Sequence, residues 1–198
     1  MTNVRDKLLA TASKTAVPES TNYSVHSRDS DDQNQQPQRC YLGLGGNLTN
    51  ELGTPSEHIH QAVATLQARD DISHVRLSSL YASKPMGPQD QPDFINAVVE
   101  IETSLPPLAL LAVCQQLEQD AQRVRLRRWG ERSLDVDLLL YGDQQISLPT
   151  LTVPHAGIRE RNFVLVPLAE LNPSLVIHGS AIADYAASQD WSGLTQLT

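Results

Sequence analysis

Polar and hydrophobic positions divide this chain of 198 residues into two unequal parts. Residues 1–38 are rich in Ser, Thr, Asp, Asn and Gln and contain no sustained apolar period, so we predict a disordered N-terminal extension. From Cys40 onward, apolar residues recur at regular intervals. The remaining length suits one domain at 39–198.

Two kinds of apolar spacing follow one another along that domain. Alternating apolar positions predict β-strands at 41–47, 72–82, 94–103 and 133–141, with a further extended piece at 151–153. Apolar stripes at helical spacing predict helices that start near 54 and that span 106–121, 163–171 and 181–187. The order β-α-β-β-α-β predicts a ferredoxin-like α+β sandwich, with helices packed on one face of an antiparallel sheet.

Composition narrows the class of protein. The formal net charge of −8 and the scarcity of lysine argue against a nucleic-acid or anionic-membrane partner. Cys40 and Cys114 are too few for a disulfide framework, so we expect free thiols in a reducing compartment. Because we find no signal peptide and no apolar run that could span a bilayer, we expect a soluble cytoplasmic protein, and a monomer.

A compact group of basic residues stands out within this acidic chain. Its members are Arg123, Arg125, Arg127, Arg128 and Arg132, with Glu131 as the single acid among them. Such a group favours a small polyanion, for example a nucleoside triphosphate, although a solvated charged face would have the same composition. Trp129 in the same segment is either a flat apolar cover for a ligand or a partly buried anchor of the loop.

Two carboxylates follow on the last predicted strand. Because side chains alternate along a strand, Asp135 and Asp137 are expected on one face, roughly 7 Å apart, and Val136, Leu138 and Leu140 on the other. Two carboxylates on an apolar strand need a compensating cation, and Mg²⁺ suits them because it also binds phosphate oxygens. An exposed sheet face with two solvated acids is the alternative interpretation.

Other local motifs are less specific. The segment Gly43–Asn47 lacks the third glycine of a dinucleotide-binding fingerprint, and we expect Gly45 and Gly46 to let the chain turn sharply beside a ligand. His155, which precedes Arg159 and Arg161, is either a structural histidine or a phosphate contact.

Several motifs, taken together and in order, closely resemble one enzyme family. They are Gly45-Gly-Asn47, the segment from Pro85 to Asn96, Arg123-Val-Arg125, Arg128-Trp-Gly-Glu-Arg132, Leu134-Asp-Val-Asp137, Val153-Pro-His155 and Arg161-Asn-Phe163. The chain resembles 6-hydroxymethyl-7,8-dihydropterin pyrophosphokinases over about residues 40–179. The resemblance implies a ferredoxin-like core and two Mg²⁺ ions. It also implies transfer of the β,γ-pyrophosphoryl unit of ATP to the pterin alcohol, with release of AMP, in folate biosynthesis.

The resemblance also implies roles for individual residues. Those implied to hold the metals are Asp135 and Asp137. Those implied to bind the pterin are Phe94 and Phe163 on its two ring faces, Asn96 at its polar edge, and Ser83, Lys84, Pro85, Met86 and Trp129. Those implied to surround ATP are Gln115, Glu118, Arg123, Arg125, Arg132, Leu138, Thr152, His155 and Arg161. Among these, catalytic roles are implied for Arg123, Arg132, His155 and Arg161.

The chain departs from the family pattern at a few positions. Phe94 stands where tyrosine is common, and Thr150 where some relatives carry arginine. The segment Gly130-Glu-Arg132 replaces the usual Gly-Pro-Arg, and the preceding loop is one residue shorter than in some relatives, which leaves open whether Arg127 or Arg128 has the family role. We expect Arg127 to matter less than Arg132, because the shorter spacing leaves no matching family role for it.

Two other functions remain as alternatives on the residues alone. A palm-like nucleotidyl transferase also carries carboxylates on a ferredoxin-like sheet, but it needs a basic channel for a polymer, which the acidic composition opposes. A non-catalytic ferredoxin-like ligand sensor is the second alternative, and it has no need of paired aspartates beside an arginine cluster.

Overall fold

The computed structural model of the chain describes residues 36–124, 127 and 129–197. Most of the predicted N-terminal extension therefore lies outside the described residues, as do Arg125 and Arg128. The first strand begins at Gln38, two residues before the predicted start of order at Cys40, because Gln38 pairs with Thr103.

The predicted elements are present, and several short strands are added to them. Strands of the main sheet are β1 (Gln38–Gly46), β2 (Ile72–Leu77), β3 (Tyr81–Ser83), β4 (Phe94–Thr103), β5 (Asp135–Tyr141) and β10 (Leu194–Gln196). Two small hairpins are formed by β6 (Ile146–Leu148) with β7 (Leu151–Val153) and by β8 (Val176–Ile177) with β9 (Ser180–Ala181). The helices are α1 (Pro55–Gln67), α2 (Pro107–Asp120), α3 (Asn162–Leu171) and α4 (Ile182–Ser188).

The main sheet has the antiparallel strand order expected of a ferredoxin-like fold. Its order is β10-β3-β4-β1-β5, and β2 also pairs with β4. Each of these pairings is antiparallel. The predicted α+β class is therefore confirmed, and β1 lies between β4 and β5 in the middle of the sheet.

Helices cover both faces of this sheet, so the prediction that they pack on one face is wrong. On the first face, α1 and α2 bury side chains such as Ile59 and Leu110 against Leu42 of β1. On the second face, Leu165 of α3 and Ile182 of α4 join a separate core cluster. The reason is that α3 is apolar around most of its circumference and needs a surface to cover.

Helix α1 begins as its sequence predicts. The Thr54 hydroxyl accepts a bond from the Glu57 amide, and the Glu57 carboxylate accepts one from the Thr54 amide at 2.7 Å. This reciprocal capping satisfies two amides that the first helical turn leaves without partners. Within the part of the chain that the structure describes, no helix is long and apolar enough to cross a membrane.

The predicted strand at 72–82 is broken into β2 and β3. Leu77 pairs with Val99 and Tyr81 pairs with Asn96, so four steps along one strand face three steps along the other. The Ser78 hydroxyl accepts a hydrogen bond from the Val98 amide at 3.0 Å, in the place of a strand carbonyl. The extra residue bends the edge of the sheet, as a β-bulge does.

A second irregularity corrects the predicted facing of Leu140. The register between β1 and β5 shifts at Leu139, because Tyr41 pairs with Leu140 but Leu42 pairs with Leu138. Leu139 and Leu140 consequently both join the core cluster of the second face, whereas Leu138 remains on the first. Alternation along β5 therefore holds only up to this bulge.

A buried carboxylate joins three segments of the second face. The side chain of Glu100 is 1% exposed, and it accepts hydrogen bonds from the Tyr41 hydroxyl at 2.7 Å and from Arg76 at 3.2 Å. His74 Nε2 lies 3.1 Å from the same carboxylate. A buried acid is tolerated here because all these donors point at it.

We expect Glu100→Ala to lower the free energy of unfolding by about 2 kcal/mol, because it leaves the buried Tyr41 hydroxyl without its acceptor. The matched control is Glu102→Ala on the same strand, whose carboxylate is 33% exposed and bonded to Arg39. That change should cost less than about 1 kcal/mol. Urea unfolding of both variants measures the difference, and equal losses would contradict this account of Glu100.

Candidate active site

A cavity of about 440 Å³ opens on the second face of the sheet, beside α3. Its floor is the strand segment that contains Gly43 and Gly45, which pair with Asp137 and Asp135 on the neighbouring strand β5. A Cβ atom at Gly45 would lie 3.1 Å from Asn96 Oδ1, so any larger residue would push into the cavity wall. The two glycines therefore keep the middle of this sheet face open to a ligand.

Asp135 lies on this floor with both of its carboxylate oxygens engaged by arginine. Arg123 Nη1 is 2.6 Å from one oxygen, and Arg132 Nη1 is 2.7 Å from the other. Arg123 also contacts Glu118, and its side chain is only 8% exposed. Burial raises the pKa of Glu118, whose carboxylate accepts a hydrogen bond from the Val136 amide at 2.9 Å. The cluster therefore alternates acids and guanidinium groups at short range.

Asp137, two residues further along the same face, is less well compensated. Arg161 Nη1 lies 3.7 Å and His155 Nε2 lies 3.9 Å from its carboxylate. Burial and, next, the charge of Asp135 raise the pKa of Asp137 above its ordinary value. The site thus contains negative charge that a bound cation would stabilise.

The orientation of His155 is set by two backbone contacts. Its amide donates to the Leu139 carbonyl at 2.9 Å, and its Nδ1 accepts a hydrogen bond from the Gly157 amide at 3.1 Å. In the neutral ring the proton is therefore on Nε2, on the side that faces Asp137. His155 can present an N–H group to an anionic oxygen bound at this place.

Another part of the cavity lining is aromatic, with one buried amide. Phe94 and Phe163 both line it, and the Arg132 guanidinium carbon lies 5.5 Å from the centre of the Phe94 ring. Asn96 is 5% exposed, and its Nδ2 donates to Ser83 Oγ at 2.9 Å. Flat apolar surfaces beside an orienting polar group are typical of a site for a planar, polar ring.

Most residues that the sequence marks as candidates line this one cavity. They are Ser83, Lys84, Met86, Phe94, Asn96, Arg123, Trp129, Arg132, Asp135, Asp137, His155, Arg161 and Phe163. Gln115 and Glu118 line a second cavity of about 310 Å³ that shares Arg123 with the first. Arg125 lies outside the described residues.

Three candidates are not in the lining of either cavity. Pro85 is buried beside the lining residues Lys84 and Met86, and Thr152 is exposed on the β6–β7 hairpin. Leu138 is 3% exposed in the core on the first face of the sheet. Its side chain therefore does not reach a ligand in the main cavity, because the alternation along β5 points it away from Asp137.

The glycines at the end of β1 do not form the predicted turn. Gly45 and Gly46 remain in the strand and pair with Asn96 and Ile95. A Cβ at Gly46 would overlap the Ser133 carbonyl oxygen, so glycine is required there for close approach of two backbone segments. The predicted sharp turn is wrong, although the need for glycine is real.

Asn47 belongs to one of the family motifs, but the sequence indicated no role for its side chain. Its side chain is buried, and its Nδ2 donates to Gln91 Oε1 and to the Pro92 carbonyl, both at 3.0 Å. Its Oδ1 accepts a hydrogen bond from the Arg132 amide at 3.0 Å. Asn47 therefore connects the end of β1 to the two loops that border the cavity. Its place directly after the glycines was the available signal.

Within the described residues, no group of three or more His, Cys, Asp or Glu side chains could hold a metal ion. Asp135 and Asp137 supply two carboxylates only. That set suits Mg²⁺, which commonly takes one or two protein carboxylates and completes its octahedral shell with phosphate oxygens and water. The residues present therefore fit a metal that arrives with a phosphorylated ligand.

Comparison with known proteins shows similarity to one family. Residues 41–173 match the family model described as 7,8-dihydro-6-hydroxymethylpterin-pyrophosphokinase. A 2-amino-4-hydroxy-6-hydroxymethyldihydropteridine pyrophosphokinase of Haemophilus influenzae is 49% identical over 143 residues, which cover 72% of this chain and 87% of that protein. A protein of the same name from Pseudomonas aeruginosa is 42% identical over 161 residues, which cover 81% of this chain and 97% of that protein.

Solved structures show a similar fold at low sequence identity. The crystal structure of Plasmodium falciparum HPPK-DHPS with pteroate aligns with a TM-score of 0.58 at 14% identity over 78% of this chain. This chain spans 43% of the length of that protein. The likeness supports the fold alone.

We expect Asp135→Asn and Asp137→Asn to differ in stability, although the two changes are chemically identical. Asp135→Asn should lower the free energy of unfolding by about 1–2 kcal/mol, because Arg123 and Arg132 lose a charged acceptor. Asp137→Asn should change it by less than about 0.5 kcal/mol. Burial and the charge of Asp135 raise the pKa of Asp137 because they disfavour its charged form, and its nearest cationic atoms lie 3.7 and 3.9 Å away, so removal of that charge costs the folded state little.

Urea unfolding at pH 7 measures both values. A loss for Asp137→Asn as large as that for Asp135→Asn would show that the two carboxylates are equally compensated.

Proposed function

The chain belongs to the 7,8-dihydro-6-hydroxymethylpterin-pyrophosphokinase family, and on that premise we propose the reaction that it catalyses. It transfers pyrophosphate from ATP to the hydroxymethyl group of 6-hydroxymethyl-7,8-dihydropterin and releases AMP, a step of tetrahydrofolate biosynthesis. The observation that carries the proposal is the composition of one cavity. Asp135 and Asp137 with their arginines form the part of its lining that we call the charged end, Phe94, Phe163 and the buried Asn96 form the part that we call the aromatic end, and Arg132 contacts both.

The aromatic end suits the pterin. A planar ring between Phe94 and Phe163 gains stacking energy on both faces, and the Asn96 side chain can bond its polar edge. Ser83 holds the Asn96 amide in place, which orients that edge contact. Lys84, Pro85, Met86 and Trp129 complete the segments around the ring. Phenylalanine in place of tyrosine at position 94 removes a hydroxyl but keeps the stacking surface.

The charged end suits the triphosphate. Arg123 and Arg132 both contact Asp135, and a polyphosphate is an anion that can bond both guanidinium groups in its place. Arg161 and His155 stand on the other side of Asp137, where they can bond further phosphate oxygens. The arginines thereby compensate charge on the transferred group, and Asp135 becomes available to a cation.

The two carboxylates would hold Mg²⁺, and we propose two ions as the family resemblance implies. Bound Mg²⁺ supplies further neutralisation of phosphate charge and helps to align the reacting groups. Asp137 fits this role because its charge is incompletely compensated by the protein alone.

The remaining contacts are assigned to the nucleoside part of ATP. Gln115 and Glu118 line the cavity that adjoins the main one through Arg123, and this suits a ribose and base attached to the phosphates. Arg125, Leu138 and Thr152 keep the ATP contacts implied by the resemblance, Leu138 through its backbone because its side chain is in the core. We further propose a cytoplasmic monomer.

The transfer step needs positioning more than a strong base. The pterin hydroxyl oxygen forms a bond to the β-phosphorus of ATP while the bond between that phosphorus and the bridging oxygen of AMP breaks. The hydroxyl proton leaves late and passes to solvent or to a phosphate oxygen. The alcohol and the β-phosphate can be brought together because the aromatic end and the charged end belong to one cavity.

Product analysis tests the proposal against the alternatives. Incubation with ATP, Mg²⁺ and 6-hydroxymethyl-7,8-dihydropterin should yield AMP, and omission of the pterin should abolish its formation. Release of pyrophosphate would indicate a nucleotidyl transferase, and absence of any product would indicate a ligand sensor.

We expect Asp137→Asn to slow AMP formation at least a hundredfold, which corresponds to about 3 kcal/mol of barrier, because it removes a metal carboxylate. The same change should leave stability nearly intact, so the loss will not reflect unfolding. Steady-state AMP release at saturating Mg²⁺ is the measurement. A near-normal rate would contradict the metal assignment.

Arg132→Ala should slow AMP release by roughly 10- to 100-fold, because it removes a charge-assisted contact to phosphate. It should also leave Asp135 with one arginine fewer. In the absence of ATP, Mn²⁺ should therefore bind this variant at least as tightly as the unchanged protein, as measured by electron paramagnetic resonance. Weaker Mn²⁺ binding would show that Arg132 does not compete with a cation for Asp135.

A further inference from the structure

Two loops face each other at the mouth of the main cavity. The first is the 85–92 loop, and the second is the arginine loop at 123–132, of which the structure describes 123–124, 127 and 129–132. Arg127 of the arginine loop makes a two-pronged ion pair with Asp90 of the 85–92 loop, with both nitrogen–oxygen distances at 3.1 Å. The same guanidinium contacts Glu131 at 2.9 and 3.2 Å. One side chain therefore joins the two loops.

Other contacts locate Trp129 at the same junction. Gln91 Nε2 donates to the Trp129 carbonyl at 2.9 Å. A Cβ at Gly87 would lie 2.8 Å from Trp129 Cβ, so the two loops approach more closely than any larger residue at position 87 allows. The Arg127 stem also packs against Gly130. Trp129 is 47% exposed, and it lines the cavity from this position.

We propose that Arg127 is a positioning residue, which holds the arginine loop against the 85–92 loop so that Trp129 forms part of the pterin wall before a substrate binds. The identification of the ligand as a pterin rests on the proposed function, whereas the contact between the two loops is independent of it. A guanidinium suits this role because its planar fork can bond two carboxylates at once. The sequence predicts that Arg127 matters less than Arg132, and the contact with Asp90 gives Arg127 a role that the spacing of the loop does not indicate.

Loss of the contact should weaken pterin binding. Without it, the two loops become ordered only when the ligand binds. The free-energy cost of that ordering reduces the binding free energy, so the affinity is lower. The carboxylate of Asp90 is 70% exposed, so the ion pair is screened by water and its effect is modest. We expect a roughly three- to fivefold higher dissociation constant for the pterin in Arg127→Gln.

Asp90→Asn separates the loop contact from a general charge effect. Arg127→Gln makes the chain more negative, and Asp90→Asn makes it less negative. If the loops have to be joined, both variants weaken pterin binding by a similar factor, and the double variant is no worse than either single one. Glu131→Gln should have a smaller effect, because it leaves the Arg127–Asp90 pair in place.

The closest matched control is Arg69→Gln. Arg69 makes a two-pronged ion pair with Asp71 at 2.7 and 2.8 Å, and its side chain is 36% exposed compared with 37% for Arg127. It does not line the cavity. Its replacement should leave pterin binding and the tryptophan signal unchanged.

Two measurements on the full chain test the proposal. The first is acrylamide quenching of tryptophan fluorescence without any ligand, in which a Trp129→Phe variant supplies the Trp191 signal to be subtracted. The second is calorimetric binding of 6-hydroxymethyl-7,8-dihydropterin in the presence of Mg²⁺ and a non-hydrolysable ATP analogue. We expect stronger quenching of Trp129 and weaker pterin binding in both Arg127→Gln and Asp90→Asn.

The outcomes distinguish this proposal from the proposed function. Unchanged quenching in both variants, or changes of opposite sign in the two, would overturn the positioning role even if AMP is formed normally. Stronger quenching in both variants of a protein that forms no AMP would leave the positioning role standing and reject the proposed function.

Discussion

Two carboxylates two residues apart on an otherwise apolar strand have to be compensated, and the site is arranged around that constraint. Asp135 and Asp137 share one face of β5, where an uncompensated pair of charges would oppose folding. Guanidinium groups compensate the two carboxylates: Arg123 and Arg132 contact Asp135, and Arg161 lies near Asp137. The incomplete compensation of Asp137 leaves room for a cation that brings its own phosphate ligands.

The glycines of β1 follow from the same constraint. A ligand can approach the two aspartates only if the neighbouring strand has no side chains on that face, and Gly43 and Gly45 meet this need in the middle of the sheet. The core cluster of the second face includes Leu139 of β5 and side chains of α3 and α4. A central sheet position, where large side chains would normally stabilise the fold, therefore lines the cavity instead.

The loops at the cavity mouth depend on contacts between segments far apart in sequence. Asn47 connects the end of β1 to Pro92 and to Arg132 through buried hydrogen bonds. Arg127 and Asp90 make the more exposed connection between the same loops. Glu131 takes part in the exposed cluster through its ion pair with Arg127. The two loops are thus joined by buried hydrogen bonds and, further out, by exposed ion pairs.

Features that depend on local periodicity were predictable from the sequence. The two helices before β5, the strand β4 and the shared face of Asp135 and Asp137 all follow from the repeat of side-chain direction in one segment. The candidate residues of the cavity were identified mainly by their resemblance to family motifs. Spacing alone did not decide whether the two aspartates bind a metal or are solvated. It also did not decide whether the basic group binds a polyanion or is a solvated charged face.

Only the tertiary structure decided the features that depend on how segments pair. The bulge at Leu139 turns Leu140 to the second face. It exists because β5 pairs with β1 both before and after Leu139, and the two stretches of pairing differ in register by one residue. The break after Leu77 likewise reflects pairing with β4. Arg127 pairs with Asp90, which is 37 positions away in the sequence, and no local sequence pattern indicates a contact over that separation. Side-chain direction repeats within a strand or helix, whereas register, partners and the covering of a second face are set by contacts between elements.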